Sequence, residues 1–581
     1  IVANTGGART TLSAFAGVGN GNPLETDVAV LDISNTDSWN IEINDVGTSG
    51  VVIRQIQQEA SNGLVSVVAA GTINVNDADA PAAGITSKAG SVTLDANGTS
   101  PNILLRWSIV TEGGAVILDS AGTVTMTGTG DIYTNSGTSS SGANVTISAV
   151  NDIWMADDGS AVAEIESGDG TIALTSTSGN IRLGELTSTK LSVNGTAIII
   201  TATAGAIVDE DAGTTPDLIA ISGTVSLSAA NGIGSSNAIE TTAGEIEFAN
   251  AAGTVAINEQ DNVSISGSSG GGIDVVVTTA NALLTIKNVS GTDLASSTGN
   301  ITLTADDLEI PGTVNVVTGN MTIAPLTPSQ VILLGSNSTT AGGQLGLTDV
   351  ELNRLHVAGV LTIGSAQSGE IQLTASIDLV STPEDVTDLH LITSGAIVDS
   401  DGASDPTLLT VKNLTLTAAS IGNSGDADID IKVDTLAANT SGTQFIAEND
   451  GVTLRGVIAA AFNLVSGGPI TDDANASTTV TGNANLAGTS ITLGDTATDT
   501  FNAGSITVNS TGAVAISEDS ATELTGTNTA ASLNLDSTGA ITDDANASTT
   551  VTGNADLAGT SITLGDTATD TFNAGSITVN S

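Results

Sequence analysis

The chain of 581 residues repeats itself, over long segments as well as short ones. Residues 470–510 recur as residues 541–581, an offset of 71, and the copies differ only in Asn485 of the first and Asp556 of the second. Shorter echoes consist of Gly, a small residue or Pro, Ile, then Val or Thr, then Asp. They begin at Gly205, Gly395, Gly468 and Gly539. Repetition at a fixed period indicates a solenoid or a repeat array.

Within these units, apolar residues alternate with polar ones. Triplets such as Val92-Thr93-Leu94 have the period of two that is typical of half-buried strands, and Gly-Asn, Asp-Gly and Ser-Gly turns separate them. The short step from Val116 to Val124 predicts neighbouring strands of one turn. The longer steps from Val116 to Val145 and from Val145 to Ile172 each predict one full turn. The long repeat then predicts three turns of about 24 residues.

Two architectures accommodate short strands at even spacing: tandem β-sandwiches and a parallel β-helix. A sandwich domain needs roughly 100 residues and a core with large aromatic side chains, whereas this chain has only 3 Trp, 1 Tyr and 6 Phe. We therefore predict an all-β fold, a right-handed parallel β-helix (β-solenoid) with β-sandwich-like or irregular decorations, continuous over residues 1–581. At about 25 residues per turn and one strand spacing per turn, it would have about 23 turns.

Helices are expected to be rare and short. Residues 348–355 begin with Thr348 and Glu351 at the spacing of a capping box. Residues 382–386 place a proline at the first helical position. Both segments predict short helices that decorate turns of the solenoid.

Charge and cysteine content exclude several classes of protein. The chain has 11 Lys and Arg against 63 Asp and Glu, a formal charge of −52, so it lacks the basic surface that nucleic-acid binding requires. Without cysteine, it can form neither disulfides nor thiolate metal sites. The apolar run at residues 456–465 is too short to cross a bilayer, so we expect no transmembrane segment in this chain.

The two ends of the sequence suggest a larger polypeptide. The chain opens with Ile1-Val2-Ala3-Asn4, without an initiator methionine or a signal-peptide pattern. The second long repeat stops at Ser581 without the atypical polar unit that caps repeat arrays. We expect the chain to be a fragment of a longer protein.

Four segments occur in an order that resembles a known family. They read GNITLTADDL at 299–308, LGLTDVEL at 345–352, LTIG at 361–364 and SGAIVD at 394–399. This pattern resembles the filamentous-haemagglutinin-like, β-strand-repeat giant surface proteins of Gram-negative bacteria. The resemblance implies a large secreted or surface-anchored right-handed β-helix that acts as an adhesin, stalk or filament. The amino-terminal secretion domain of two-partner secretion is not visible in the sequence.

An enzymatic function receives little support. Carbohydrate-active β-helices need two carboxylates at a defined separation, usually with aromatic platforms for sugar. Acid pairs are frequent, but two of them are copies of one another, and a catalytic site is rarely duplicated along one chain. They are Asp157-Asp158, Asp306-Asp307, Asp472-Asp473 and Asp543-Asp544. His356 and His390 each stand alone near apolar strands, which favours turn or edge histidines over catalysis. We therefore predict no catalytic residues.

Calcium is the better chemical hypothesis. Hard cations take oxygen ligands from carboxylates and backbone carbonyls, and Asp-dense loops supply both. The candidate ligands follow the Ile-x-Asp echoes and are Asp209, Asp211, Asp399, Asp401, Asp472, Asp473, Asp543 and Asp544. A further loop holds Asp495 and Asp499. Neither a G-G-x-G-x-D nonapeptide nor a complete EF-hand loop is present. The alternative is that these residues are ordinary turn formers.

Together these features predict a non-catalytic structural or adhesive rod or filament protein, located outside the cell on a bacterial surface. Its partners would be other copies of itself or a ligand on a host or neighbouring cell, and Ca²⁺ would be its only cofactor. Two alternatives remain at this stage: a secreted carbohydrate-active β-helix, and a tandem β-sandwich adhesin array.

Overall fold

The structure is a computed structural model that describes residues 1–3, 9–76, 84–135, 142–157, 161–210, 213–289, 291, 293–337, 343–380, 386–400, 408–425 and 428–581. The chain forms two compact units, Ile1–Thr302 and Leu303–Ser581. Strands make up 59% of it and helices 1%. Both units consist of parallel strands stacked turn upon turn, about 24 turns in total. This confirms the predicted β-solenoid and favours it over tandem sandwiches.

Short strands follow one another along the first unit, with one short 3₁₀ helix at Ser192–Asn194. Numbered in chain order, the strands are β1 Val2–Ala3, β2 Arg9–Ala14, β3 Leu24–Val28, β4 Val30–Asn35, β5 Ile41–Asp45, β6 Val51–Gln58, β7 Val65–Ala69, β8 Ile73–Val75, β9 Ile85–Ser87, β10 Val92–Ala96, β11 Ile103–Leu105, β12 Ile109–Thr111, β13 Val116–Ser120, β14 Val124–Met126, β15 Ile132–Tyr133, β16 Val145–Ala149, β17 Ile153–Met155, β18 Glu164–Glu166, β19 Ile172–Ser176, β20 Ile181–Leu183, β21 Glu185–Thr187, β22 Ile198–Ala202, β23 Ile207–Asp209, β24 Leu218–Ala229, β25 Ile239–Asn250, β26 Val255–Glu259, β27 Val263–Ser269, β28 Ile273–Val277, β29 Leu283–Ile286 and β30 Leu294–Ser296. Strand β31, Ile301–Thr304, contains the boundary between the units.

Every third strand of the regular part of the first unit pairs in parallel, so that one turn consists of three strands on three faces. The first face contains β7, β10, β13, β16 and β19. The second contains β8, β11, β14, β17 and β20, and the third contains β9, β12, β15, β18 and β21. Val116 is in register with Val145, and Val145 with Ile172, so both predicted one-turn steps are confirmed.

The core is a set of columns in which apolar side chains stack on their register partners. One column, fully buried, contains Val65, Val92, Val116, Val145 and Ile172. Alternate residues of each strand point outward, as the period of two predicts. The step along this column is shorter from Val92 to Val116 than from Val116 to Val145, although the strands pair in the same way. The differences in turn length are therefore taken up in the corners between faces.

Small polar residues close these corners. An inward-facing Ser or Thr at a strand end donates a hydrogen bond to the carbonyl of a glycine three residues later. Examples are Ser87 to Gly90 at 2.9 Å, Ser167 to Gly170 at 2.8 Å and Ser296 to Gly299 at 2.7 Å. This local bond satisfies a side chain that would otherwise be a buried, unpaired hydroxyl, and it explains the frequent Ser–Gly turns.

The second unit has the same architecture, with one helix, α1 Asp349–Leu352. Its strands are β32 Asp307–Glu309, β33 Val314–Val316, β34 Met321–Ala324, β35 Val331–Leu334, β36 Gln344–Leu347, β37 Leu355–Gly364, β38 Ile371–Leu373, β39 Ile377–Asp378, β40 Val386–Ile392, β41 Ala396–Asp399, β42 Leu409–Thr410, β43 Asn413–Ala418, β44 Ser420–Ile421, β45 Ile429–Lys432, β46 Thr435–Thr440, β47 Thr443–Glu448, β48 Val452–Ala459, β49 Ala461–Ser466, β50 Pro469–Gly488, β51 Ser490–Leu493, β52 Thr500–Ser510, β53 Ala513–Glu518, β54 Thr522–Leu524, β55 Thr527–Ala530, β56 Ser532–Ser537, β57 Ala540–Asp543, β58 Ser548–Ala558, β59 Ser561–Thr563 and β60 Thr571–Asn580.

Helix α1 confirms the capping box predicted at residues 348–355. The Glu351 backbone N–H donates to Thr348 Oγ1, and Glu351 Oε2 accepts from the Thr348 backbone N–H at 3.0 Å. The other predicted helix begins within residues 381–385, which lie outside the described residues. No helix among the described residues is long and apolar enough to cross a membrane.

The prediction that one long repeat spans three turns is wrong. Ile470 is in register with Ile491, Ile491 with Val514, and Val514 with Leu533, so three turns end before the second copy begins at Ile541. Leu533 is in turn paired with Ala555, the counterpart of Ala484 and not of Ile470. Because these turns are shorter than predicted, the repeat covers three turns and one further strand. The second copy is therefore displaced by one face of the solenoid relative to the first.

Gly468 lies where two turns approach closely, and it provides a stability test. A Cβ atom at this position would lie 1.6 Å from the carbonyl oxygen of Asp450 on the preceding turn. The nearest atom to a Cβ at Gly456 is the Ser477 carbonyl oxygen, 3.3 Å away. Because backbone must move to admit the methyl group, Gly468→Ala is expected to destabilise the second unit by about 1–3 kcal/mol. Urea denaturation followed by far-ultraviolet circular dichroism measures this, with Gly456→Ala as the control, for which little change is expected.

Candidate metal centres

Three aspartates converge at one corner of the second unit. Asp472 lies on β50, and Asp495 and Asp499 lie in the loop after β51, one turn later. One carboxylate oxygen from each residue lies within 4.8 Å of the other two. Asp495 is exposed, Asp472 is partly buried and Asp499 is buried, so the group is open to solvent on one side.

Backbone hydrogen bonds hold this corner in place. The Gly494 N–H donates to Asp472 Oδ2 at 2.8 Å, with Gly494 at φ +66°, where a residue with a Cβ is disfavoured. The Thr496 N–H donates to both carboxylate oxygens of Asp499, at 3.0 and 3.2 Å, which closes the loop back on itself. The strand end and the loop of the next turn are thereby fixed relative to each other.

The second repeat rebuilds the same group from Asp543, Asp566 and Asp570. Their oxygens again lie within 4.8 Å of one another. The Gly565 N–H donates to Asp543 Oδ2 at 3.0 Å, and the Thr567 N–H donates to Asp570 Oδ1 at 2.8 Å. Since the second copy is displaced by one face, this group lies at the following corner.

In the first carboxylate of each group, burial and the neighbouring negative charges disfavour the ionised form. Burial raises the pKa of Asp472 to about 6; the Gly494 N–H opposes the rise, and the charges of Asp499 and Asp495 add to it. Burial likewise raises the pKa of Asp543, with a further contribution from Asp570 and Asp566. The Oδ1 atoms of Asp472 and Asp543 are both buried and accept no hydrogen bond. A cation would relieve the repulsion and supply the missing partner.

A third group lies in the first unit and is fully enclosed. Asp209, Asp217 and Glu240 are all buried, and one oxygen of each lies within 4.8 Å of the others. Asp217 and Glu240 are one turn apart, and the Glu240 N–H donates to Asp217 Oδ2 at 3.1 Å. Asn237 Nδ2 donates to Asp209 Oδ2.

The structure places some of the predicted ligands in three-carboxylate groups and others outside them. Asp472, Asp543 and Asp209 each belong to a three-carboxylate group. Asp473 instead forms an ion pair with Arg455 at 3.8 Å, and Asp544 Oδ1 accepts the Asn546 N–H at 2.8 Å. Asp399 belongs to none of the groups formed by described residues. Asp211 and Asp401 lie outside the described residues.

Several members of these groups were not among the predicted ligands. The sequence marks Asp495 and Asp499 only as an Asp-dense loop, and the offset between the two repeat copies extends the same pattern to Asp566 and Asp570. Asp217 and Glu240 carry no local signal, because only the stacking of turns brings them together.

These groups fit a hard divalent cation. Calcium takes six to eight oxygen ligands at about 2.4 Å, so two of its ligands can be up to about 4.8 Å apart. Three carboxylates at this separation could share one ion, with carbonyl groups or water completing the shell. Magnesium requires a tighter, nearly octahedral arrangement and keeps most of its water, which makes calcium the better match for the two open groups.

Other carboxylates and both histidines have structural partners. Asp306 accepts hydrogen bonds from the backbone N–H of Thr327 at 2.8 Å and from its hydroxyl at 2.6 Å. His356 and His390 lie on β37 and β40, and not in turns. His390 Nε2 lies 3.1 Å from Thr417 Oγ1, and burial lowers the His390 pKa.

A surface groove of about 450 Å³ in the first unit contains the carboxylates Glu247 and Asp293. If the protein were a carbohydrate-active β-helix, a groove of this kind would be expected to hold its substrate. Glu247 is paired with Lys287 at 3.1 Å, and Asp293 Oδ1 accepts the Val289 N–H at 2.8 Å. Both carboxylates therefore have a structural role, and the groove provides no specific support for glycoside chemistry.

Comparison of the chain with protein-family models, curated proteins and solved structures found no match.

Proposed function

We propose that this chain is a non-catalytic structural or adhesive repeat protein of an outer bacterial surface, similar in role to the filamentous-haemagglutinin-like proteins that it resembles. The observation that carries the proposal is the architecture. Both units are parallel solenoids whose strands, columns and corners recur from turn to turn. Each turn serves as a template for the next, so the fold extends by addition of similar segments.

The chemistry of the side chains supports a structural role. Carboxylates that could have suggested an active site, such as Asp306 and Asp293, accept backbone hydrogen bonds and hold neighbouring segments together. The outward-facing residues are mainly small and polar, and the formal charge of −52 keeps such a surface soluble. A strongly hydrated acidic surface suits a protein that works in contact with water and ions.

We further propose that calcium stabilises the second unit. The supporting observation is that the same open group of three aspartates occurs in both repeats, each with a buried oxygen that accepts no hydrogen bond. A calcium ion in each group would join the end of one strand to the loop of the next turn. The ion would then act as a cross-link between turns, a structural function that requires no catalysis.

Surface labelling of intact cells tests the location. An antibody raised against the purified chain is expected to label unpermeabilised cells of the organism that produces it, and brief protease treatment of those cells should remove the label. An antibody to a cytosolic protein is the control, since it should label only permeabilised cells. If the antibody to this chain also requires permeabilisation, the proposed surface role is wrong.

A further inference from the structure

The enclosed three-carboxylate group of the first unit differs from the two open groups, because all of its members are buried. Asp209, Asp217 and Glu240 have relative exposures of 5%, 3% and 6%, and one oxygen of each lies within 4.8 Å of the others. Three ionised carboxylates this close together repel one another strongly when they are removed from water. A positive charge among them would offset this repulsion.

Register and backbone hydrogen bonds fix these side chains relative to one another. Asp209 is the last residue of β23, and Asp217 directly precedes β24. Glu240 lies on β25, one turn after Asp217. The Asp217 N–H donates to the Glu240 carbonyl oxygen at 2.8 Å, and the Glu240 N–H donates to Asp217 Oδ2 at 3.1 Å. The group therefore spans two turns that the backbone already holds together.

One oxygen of Glu240 indicates a ligand at this place. Glu240 Oε1 accepts a hydrogen bond from Asn258 Nδ2 of the following turn at 3.0 Å. The Oε2 atom is buried and accepts no hydrogen bond from the part of the chain that the structure describes. A carboxylate oxygen that is buried without a donor destabilises the fold. A cation bound between this oxygen and those of Asp209 and Asp217 would satisfy it.

The column that runs through Asp217 and Glu240 carries further negative charge. Two turns before Asp217 it contains Glu164, and one turn before Asp217 it contains Glu185. On the turn after Glu240 the position is occupied by the neutral Asn258. Four acidic residues thus stack on successive turns with no Lys or Arg between them. Because like charges at neighbouring positions destabilise a sheet, this column also favours a bound cation.

We propose that Asp209, Asp217 and Glu240 hold one calcium ion that the folded first unit does not release to a chelator. The three residues offer only oxygen ligands, which favours a hard cation, and a spacing of at most 4.8 Å suits two ligands of one calcium ion. Magnesium keeps several of its waters, for which an enclosed group is unsuited. The inference does not rest on the calcium proposed for the open groups, since those lie in the other unit.

Burial of the group determines how its ion would exchange. Gln260, on a later turn, donates from Nε2 to the Thr214 carbonyl oxygen at 2.9 Å and so holds the connection between β23 and β24 in place. An ion enclosed in this way leaves when the turns separate, so its binding free energy contributes directly to folding. Each open group has an exposed member, Asp495 or Asp566, and an ion bound there would exchange with the solvent while the protein stays folded.

Metal analysis of the whole chain tests the proposal. The protein is equilibrated with calcium, dialysed against EDTA and then against metal-free buffer, and its calcium content is measured by inductively coupled plasma mass spectrometry. One calcium ion per chain is expected to remain. Unfolding in guanidinium chloride with EDTA should release this ion. After refolding without metal, the first unit should unfold at a lower denaturant concentration until calcium is returned, as followed by tryptophan fluorescence.

Matched substitutions locate the retained ion. Asp217→Asn and Glu240→Gln should each lower the retained calcium by one ion per chain, whereas Glu185→Gln, which changes an acid of the same column outside the group, should leave it unchanged. If a variant folds poorly, the calcium content of the EDTA-treated parent protein decides.

The proposal is overturned if that parent protein contains no calcium, if Asp217→Asn keeps the ion, or if Glu185→Gln loses as much calcium as Asp217→Asn. Calcium that dialysis against EDTA removes belongs to the open groups, so a failure of the proposal for those groups leaves this result unchanged.

Discussion

Calcium is expected to raise the melting temperature of the EDTA-treated protein, and Asp472→Asn is expected to remove part of that gain. A ligand that binds only the folded state stabilises it by about 2.7 kcal/mol per site at a concentration 100 times its Kd. The gain should be confined to the second unit if the two open groups are the sites. Thermal unfolding followed by circular dichroism, with and without millimolar calcium, measures the effect, and equilibrium dialysis counts the bound ions.

Neighbouring aspartates supply matched controls for this experiment. Asp473 follows Asp472 directly but forms an ion pair with Arg455, so Asp473→Asn should leave calcium binding intact. Asp543→Asn and Asp544→Asn repeat the comparison in the second copy, where Asp544 only accepts a backbone N–H. Each of Asp472→Asn and Asp543→Asn should reduce the number of bound ions by one. An identical melting temperature in calcium and in EDTA, or an equal loss of ions in Asp473→Asn, would show that these groups are not calcium sites.

The fold could be predicted from the sequence because each strand carries its own signal. The alternation in Val145-Thr146-Ile147 follows from a strand with one buried face, and the spacing from Val116 to Val145 follows from the length of a turn. Parallel stacking then brings equivalent residues into register without any long-range information. The capping box at Thr348 could be predicted for the same reason, since its partners all lie within the first turn of the helix.

The number of turns in each repeat could not be predicted, because turn length varies. The turn from Val116 to Val145 is much longer than the turn from Val514 to Leu533, and the corners take up the difference. A constant repeat period therefore does not fix the face on which a residue lies. Ile541 accordingly pairs with Thr522, although its counterpart Ile470 lies in a different column, between Val452 and Ile491.

The candidate site was predicted only in part, for a related reason. Asp472 and Asp543 could be recognised because each follows an Ile-Thr strand end in a repeated segment. Their neighbours Asp473 and Asp544 have the same local sequence context, and only the direction of the strand distinguishes them. Glu240 joins Asp217 across one turn, a pairing that requires knowledge of the register.

Three consecutive isoleucines on β22 also show that the sequence alone does not reveal which residues face the core. They allow a direct test of the buried columns. Ile198 and Ile200 are fully buried and stack on Ile172 and Leu174, whereas Ile199 points outward. The sequence contains no alternation there, so only the structure assigns the inward pair. Ile198→Ala and Ile200→Ala are each expected to destabilise the first unit by about 2–5 kcal/mol, because each leaves a cavity in a stacked column.

Ile199→Ala is the matched control, with an expected cost of less than about 1 kcal/mol, since it removes the same atoms from a partly exposed position. Urea denaturation followed by tryptophan fluorescence is the appropriate measurement, because Trp39, Trp107 and Trp154 all lie in the first unit and report on it alone. Because the turns of a repeat stack support one another, the loss should extend to the turns on both sides of β22. An equal cost at all three positions would contradict the assigned register, and with it the placement of the neighbouring columns.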